Sequence, residues 1–399
     1  MTDNNKIPVY TDFREVNHAT YDELLQDVKA MEANSTWIPG VMSKDIKVEA
    51  IFGPLVAQEI ATKEKMDPEL VYDTADTGTR LYAKLPDGTA KCIRDSGRAT
   101  LFERACIFGS ALGRETPEDL ATILNLTLKV AKGPVLLLDR YGKVSAFHSD
   151  AASGYRIMPI SKLLAITMAE LEDRFGEPVY VSGYNSHSYT TAVWALPDVK
   201  DDLIFKYETA TANLRNPPDI SGMMPAIRLS ASDTASSAAI LQPLFRTRHG
   251  SYICLSDAIR VKHSRATGMD GVELFEKRIH EELFTRFVDA VEGIARLSTI
   301  YLMHPTNVIV GLCNKMRIPK KCGDIAREQA ENIMVSSPSM SAYEVFLLLG
   351  DAIGEVMHGT NADVMQDKLY MVMNPSFDWS VYDVGGVVAW NSSANAAVA

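Results

Sequence analysis

Between residues 225 and 265 the chain carries Arg228, Arg246, Arg248, Arg260, Lys262 and Arg265 against only Asp233 and Asp257. That is a local charge of +4 in a chain of net charge −11, which leaves −15 for everything outside this stretch. A strand over 259–265 places Arg260 and Lys262 on one face and Ile259 and Val261 on the other. Basic strands of this kind track a phosphate backbone, with aromatic side chains as stacking platforms. Phe245 and Tyr252 are the stacking candidates, and His263 and Arg265 continue the basic run. The expected nucleic-acid-binding set is therefore Arg228, Arg246, Arg248, Tyr252, Arg260, Lys262, His263 and Arg265. The competing reading pairs these cations with the surplus carboxylates elsewhere.

Other chemistry is sparse. Ser230, Ser232, Asp233, Thr234, Ser236 and Ser237 form a hydroxyl-rich turn. Such side chains bond the backbone of their own turn, and the alternative is a set of donors facing a phosphate. No GxxxxGK[ST] is present, nor a GxGxxG after a strand, so the common nucleotide fingerprints fail. His148, Ser149 and Asp150 are adjacent, but a catalytic triad is defined by spatial roles, and no GxSxG elbow exists. His148 and His187 sit at the ends of two expected hairpins and could converge on a metal, yet neither has HExxH or HxH spacing. No catalytic residue, metal ligand set or cofactor is assigned. Lys315, Arg317, Lys320 and Lys321 form a second small basic cluster, either an extension of a nucleic-acid path or a plain helix junction.

The bulk properties bound the class. With 46% apolar and 23% charged residues in 399, the chain is ordinary for a folded protein and large enough to bury a core without staples. No run reaches the roughly 18 apolar residues of a membrane helix. The first residues, MTDNNKIPVYTDFRE, are polar and predict no signal peptide. Cys92, Cys106, Cys254, Cys313 and Cys322 are scattered, which predicts reduced thiols and no zinc pair. Together these predict a cytoplasmic protein.

The elements that must position the basic stretch follow from periodicity. Thr20 with Glu23 predicts a capping box opening a helix over 21–31, and residues 54–66 a second helix. Asp87-Gly88 predicts a hairpin. A helix through ATLFERACIFGSAL is expected to end at Gly113, and Thr116-Pro117 to start another. Residues 134–195 read as hairpin, helix, hairpin, with the helix from Ile160 to Phe175 and turns at Asp139–Gly142 and Asn185–His187. Residues 201–213 suggest a helix. Three strands are expected in 225–265, with Pro243 demoting the second to an edge or a bulge. From Gly268 a continuous apolar stripe, Val272 to Tyr301, predicts one long helix, followed by helices at 306–316, 320–334 and 341–357. The fold class is α+β, with antiparallel hairpin-rich sheets and packed helices, then a mostly helical C-terminal region. The expected divisions are 1–95, an irregular entry region; 96–267, the α+β core; 268–385, a helical lobe; and 386–399, a mobile tail.

Three stretches carry a resemblance: SGRATLFERACIFGSALGRETPEDLATILN at 96–125, LLLDRYGKVSAFHSD at 136–150, and IRLSASDTASSAAILQPLFR at 227–246, followed by Cys254 and His263. In that order they resemble a family of phage- and plasmid-borne proteins of unassigned function, over roughly residues 80–300. Such proteins place a serine-x-serine-acid segment before a strand, then an arginine and, further on, a histidine. This chain departs from the pattern at Ala231, where the family has asparagine, and at His148, where an aliphatic residue is common. The resemblance implies a bacterial mobile element as context and no catalytic residues.

Two functions are expected. The first is a mobile-element protein that handles nucleic acid without catalysis, by binding or annealing single strands, with a homo-oligomer as a further expected partner and no membrane. The second is a structural or interaction protein of the phage or element, a particle component or counter-defence factor. An enzyme whose site the sequence does not reveal is third.

Overall fold

A computed structural model describes residues 8–391 apart from 215–216, 248–249, 255, 266–268 and 358. Arg248 and residues 392–399 of the expected tail lie outside the described residues. The chain opens on strand β1 (Glu15–His18) and helix α1 (Tyr21–Ala33). The capping box at Thr20 is complete: its hydroxyl accepts from Glu23 N at 3.2 Å, and the Glu23 carboxylate accepts from Thr20 N at 3.2 Å. Strands β2 (Ser35–Met42) and β3 (Lys47–Ala50) follow, then helices α2 (Ala57–Glu64) and α3 (Pro68–Asp76). The Asp-Gly hairpin joins β4 (Leu81–Lys84) to β5 (Ala90–Ile93).

Helix α4 (Asp95–Ala105) ends sooner than its apolar run suggests, because Cys106 takes a left-handed φ of 53° and turns the chain out. Phe108 is then 79% exposed. Helix α5 (Pro117–Leu128) starts as expected, with the Thr116 hydroxyl accepting from Asp119 N. Strands β6 (Pro134–Arg140) and β7 (Lys143–Ser149) close on Tyr141-Gly142, whose φ angles of 50° and 78° mark a two-residue type I′ turn. Helix α6 (Ile160–Phe175), strands β8 (Val179–Ser186) and β9 (Thr190–Ala195), and helix α7 (Lys200–Thr211) come next.

The basic stretch forms β10 (Met224–Ala231), β11 (Ala239–Arg246), β12 (Tyr252–Cys254) and β13 (Ile259–Val261). The expected third strand is thus two, and both pair with β11: β12 at Leu244–Arg246 and β13 at Ala239–Leu241. Pro243 falls between those two ladders, so the strand is internal and its proline sits where the outer pairing is broken. Helix α8 (Gly271–Ser298) is 28 residues long and is capped by Asp270. Its stripe is buried at Phe275, Ile279, Leu283, Phe287, Val291, Ile294 and Leu297. Tyr301, read as the stripe's end, has left the helix and is 53% exposed. Helices α9 (Pro305–Met316), α10 (Lys320–Met334), α11 (Ala342–Val356) and α12 (Gly359–Leu369) complete the region, the last without a sequence signal that stood out.

The fold is α+β. One sheet is antiparallel, in the order β1-β8-β9-β10-β11-β12 with β13 also on β11. A second runs β2-β6-β7-β5-β4-β3, with β5 and β7 as its parallel pair, and Tyr301–Leu302 pairs with Met340–Ser341 in a small two-stranded sheet among the helices. The largest core lies between the first sheet and helices α1, α6 to α11: Trp194, Ile227, Leu229, Leu241, Phe245 and Ile253 meet Leu164, Phe175, Phe287, Ile294 and Phe346 in one cluster. The helical region after 268 therefore shares its core with this sheet. The second sheet packs one face on α4 and α5 and the other on α2 and α3. An extra residue at Ser145 shifts the β6–β7 register, so Val144 and Phe147 both reach the first of these cores although they are three apart. No described helix is long and apolar enough to cross a membrane. Among the described residues no disulfide forms, and the cysteines are buried apart from the exposed Cys106.

Candidate nucleic-acid interface

Register decides which basic side chains share a surface. Arg228 stands opposite Gln242, Arg246 opposite Tyr252, and Ile240 opposite Arg260. Because side chains alternate along each strand and paired residues share a face, Arg228, Gln242, Arg246, Tyr252 and Arg260 all lie on one side of the sheet. The other side of the same strands presents Ile227, Leu229, Leu241, Phe245, Ile253 and Ile259 to the helices. The basic face has a small apolar floor of Val193, Ala226, Leu244 and Cys254, edged by Val181, Tyr252 and Tyr370.

The individual environments differ. Arg246 and Arg260 are exposed, and Arg228 and Tyr252 are half-buried. Burial pushes the Tyr252 phenol above its ordinary value, while the positive fields of Arg246 and Arg228 pull it back. The Tyr252 hydroxyl finds no hydrogen-bond partner among the described residues. Gln242 is buried and donates to Ser256 O at 2.7 Å and Pro243 O at 3.1 Å, tying the β12–β13 link to the sheet. Arg260 pairs with Asp367 on α12 at 2.6 Å, with both side chains well exposed. Lys262, just past β13, is exposed.

Two expected members and one stacking candidate are elsewhere. Phe245 is 2% exposed and faces the helices, so it is core and no stacking platform. It was one residue out of phase with the basic face. Arg265 pairs with Asp150 at 3.0 Å, the answer the surplus-carboxylate reading gives. His263 stacks on Tyr155, centroids 5.0 Å apart and planes 8° from parallel, with Nδ1 3.2 Å from Arg156 O. Lys315, Arg317 and Lys321 are exposed at the α9–α10 corner, on neither sheet.

His263 belongs to a second polar site, where the turns of the first sheet meet the second. Arg140, 1% exposed, donates to the Asp233 carboxylate, to His187 O at 2.7 Å and to Ser35 Oγ at 3.0 Å. His148 Nε2 lies 2.8 Å from Asp233 O, and its ring stacks on Tyr155 at 3.6 Å. Burial drives the His148 imidazole down to about 4 and that of His187 to about 2, so both are neutral near pH 7. The hairpin-end histidines do come to one junction, joined through Arg140 and Asp233. Among the described residues no group of three or more His, Cys, Asp or Glu could hold a metal ion. The hydroxyl-rich turn bonds its own backbone: Ser232 Oγ accepts from Thr234 N at 3.1 Å and Ser236 N at 3.2 Å.

Next to the junction lies a buried charge cluster that sequence reasoning missed. Arg94 donates to Asp12 Oδ1 at 2.9 Å and to Tyr10 O at 3.0 Å, and Lys143 binds Asp73 and Asp12. Burial lowers the Arg94 guanidinium to about 10, against the pull of Asp12. The available signal was charge inside apolar strands, at Arg94, Arg140 and Lys143. Charges at the ends of hairpin strands ordinarily read as solvated. Comparison of the chain with protein-family models, with curated proteins and with solved structures finds no match.

Proposed function

We propose that this protein binds single-stranded nucleic acid on the basic face of its seven-stranded sheet, without catalysis. The observation that carries the reading is that Arg228, Arg246, Arg260 and Tyr252 share one face, around an apolar floor. Guanidinium groups spaced across neighbouring strands suit a phosphate backbone, and a half-buried tyrosine with flanking cations suits a stacked base. The net negative charge elsewhere restricts such contact to this face by repelling polyanions from the rest of the surface. The resemblance in residues 80–300 supports a phage or plasmid setting, where annealing or protecting single strands is a common need.

The test is fluorescence anisotropy of a labelled oligonucleotide over a salt series. Log affinity is expected to fall linearly with log salt. In Arg246→Ala/Arg260→Ala the slope should shrink by about 1.4, at roughly 0.7 for each single-strand phosphate no longer neutralised. The weakening should be about equal for all base sequences, because phosphate contacts carry no sequence information. Absence of binding at low salt removes the proposal.

A further inference from the structure

Past Tyr382 the chain runs without regular secondary structure along one face of α9, and that face is built to hold it. Asn307, Gly311 and Asn314 are spaced four and three apart, so they line one side of the helix. Asn307 Nδ2 donates to Val384 O at 2.6 Å and to Gly386 O at 2.8 Å. Two turns on, Asn314 Nδ2 donates to Ala389 O at 2.9 Å, and its Oδ1 accepts from Asn391 N at 2.9 Å. In each bond an asparagine side chain of α9 meets the main chain of the segment, so the contacts do not depend on the segment's side chains.

The ends of the segment are fixed by chemistry. Helix α9 has no side-chain cap of its own at His304. The Asp383 carboxylate instead holds the two residues just ahead of the helix, accepting from Met303 N at 3.0 Å and His304 N at 2.6 Å. At the far end Trp390 lies over Gly323 of α10, where a Cβ would come within 2.4 Å of the ring, and Lys320 sits 6.0 Å from the ring centroid. Between these anchors Val384 is 42% exposed and Val387 99%, while Val388 is half-buried.

We infer that the α9–α10 face is a receptor for an extended segment with an acid at one end and a tryptophan seven residues on, and that a second copy of this chain can supply it. Residues 383–391 of the same chain fill the receptor here. They are held by the two anchors and by asparagine side chains bonded to their main chain, so the segment leaves by withdrawing one side chain, Trp390, from the edge of the core. An identical segment from another copy meets identical partners, the usual route to exchanged dimers. Within one chain the tether gives the segment an effective concentration on the order of millimolar, which favours the closed monomer.

The test uses two full-length variants. Asn307→Ala/Asn314→Ala disables the receptor and keeps the segment. Asp383→Ala/Trp390→Ala disables the segment and keeps the receptor. Each alone is expected to be folded by circular dichroism and monomeric by light scattering. Mixed one to one, they should form a complex of twice the monomer mass, because the free segment of the first fits the vacant receptor of the second. No complex from two folded variants overturns the inference. Unfolding of either variant also overturns it, since the segment would then be an integral part of the fold and no exchangeable occupant.

Discussion

Arg140 and Asp233, 93 residues apart in sequence, join the two sheets through a buried guanidinium–carboxylate contact. Arg140 ends β6 in the second sheet, and Asp233 lies in the turn between β10 and β11 in the first. The same arginine holds His187 O in the neighbouring turn, so one side chain ties two hairpin turns of the first sheet to the second.

Removing one partner of such a pair leaves the other charge buried and unmatched, at a cost of about 3–5 kcal/mol. Arg140→Ala should therefore lower the urea midpoint sharply. The variant should also loosen the junction before the helical core, visible as faster hydrogen exchange in residues 187–189 and 233–237 than in α8. Uniform loss of protection would mean that the two sheets do not open separately.

The histidines beside this pair set a pH dependence. The folded state holds the His148 imidazole at about 4, below its ordinary 6.5, chiefly through burial. The unfolded chain therefore binds the proton first as pH falls. Stability is full above about pH 6.5 and is lost as pH drops toward 4, by an amount on the order of 3 kcal/mol for this group. His263 and His187 are shifted in the same direction and add to the slope. His148→Phe keeps a ring to stack on Tyr155 and removes the titrating group. Denaturant midpoints from pH 7.5 to 4.5 should fall less steeply in this variant than in the parent. Equal slopes would show that His148 does not stay neutral in the folded protein.

Much of this architecture was legible because its signals are local. The capping box at Thr20, the Asp87-Gly88 turn, the Ile160–Phe175 helix and the α8 stripe each rest on spacings within a few residues. The basic stretch was legible as composition, but composition does not carry register. Phe245 and Arg246 are neighbours in sequence and sit on opposite faces of β11, and only pairing with β10 and β12 says which faces the helices. Arg260 and Arg265 both proved to have acidic partners, Asp367 and Asp150, that lie more than 100 residues away and leave no trace in the local pattern. The Arg94–Asp12 and Lys143–Asp73 pairs were missed for the same reason.

Edge protection offers a third prediction. Strand β3 is an outer strand of the six-stranded sheet. Asn125 of α5 serves as its partner there: Val48 N donates to Asn125 Oδ1 at 2.8 Å, and Asn125 Nδ2 donates to Val48 O at 2.7 Å. Asn125→Ala leaves both Val48 groups unmatched, at about 1–3 kcal/mol. It also exposes a pairing edge of the kind that templates association. The variant should melt earlier and scatter light at protein concentrations where the parent stays clear. Earlier melting with no rise in scattering would assign Asn125 to packing and leave the edge guarded by other means.

The ion pair between Arg260 and Asp367 allows the functional reading to be tested by a gain instead of a loss. At 2.6 Å and with both side chains exposed, the carboxylate competes with any phosphate for the same guanidinium. Exposed pairs contribute about 0–1 kcal/mol, so Asp367→Asn should leave the fold intact and raise oligonucleotide affinity by up to about fivefold at low salt. The gain depends on Arg260. In an Arg260→Ala background the same substitution should add little, and the double-mutant cycle isolates that coupling from a general change in surface charge. A gain of equal size with and without Arg260 would reduce Asp367 to a bystander charge. No gain in either background would place the binding surface away from β13 and shift the weight of the reading onto Arg228, Arg246 and Tyr252.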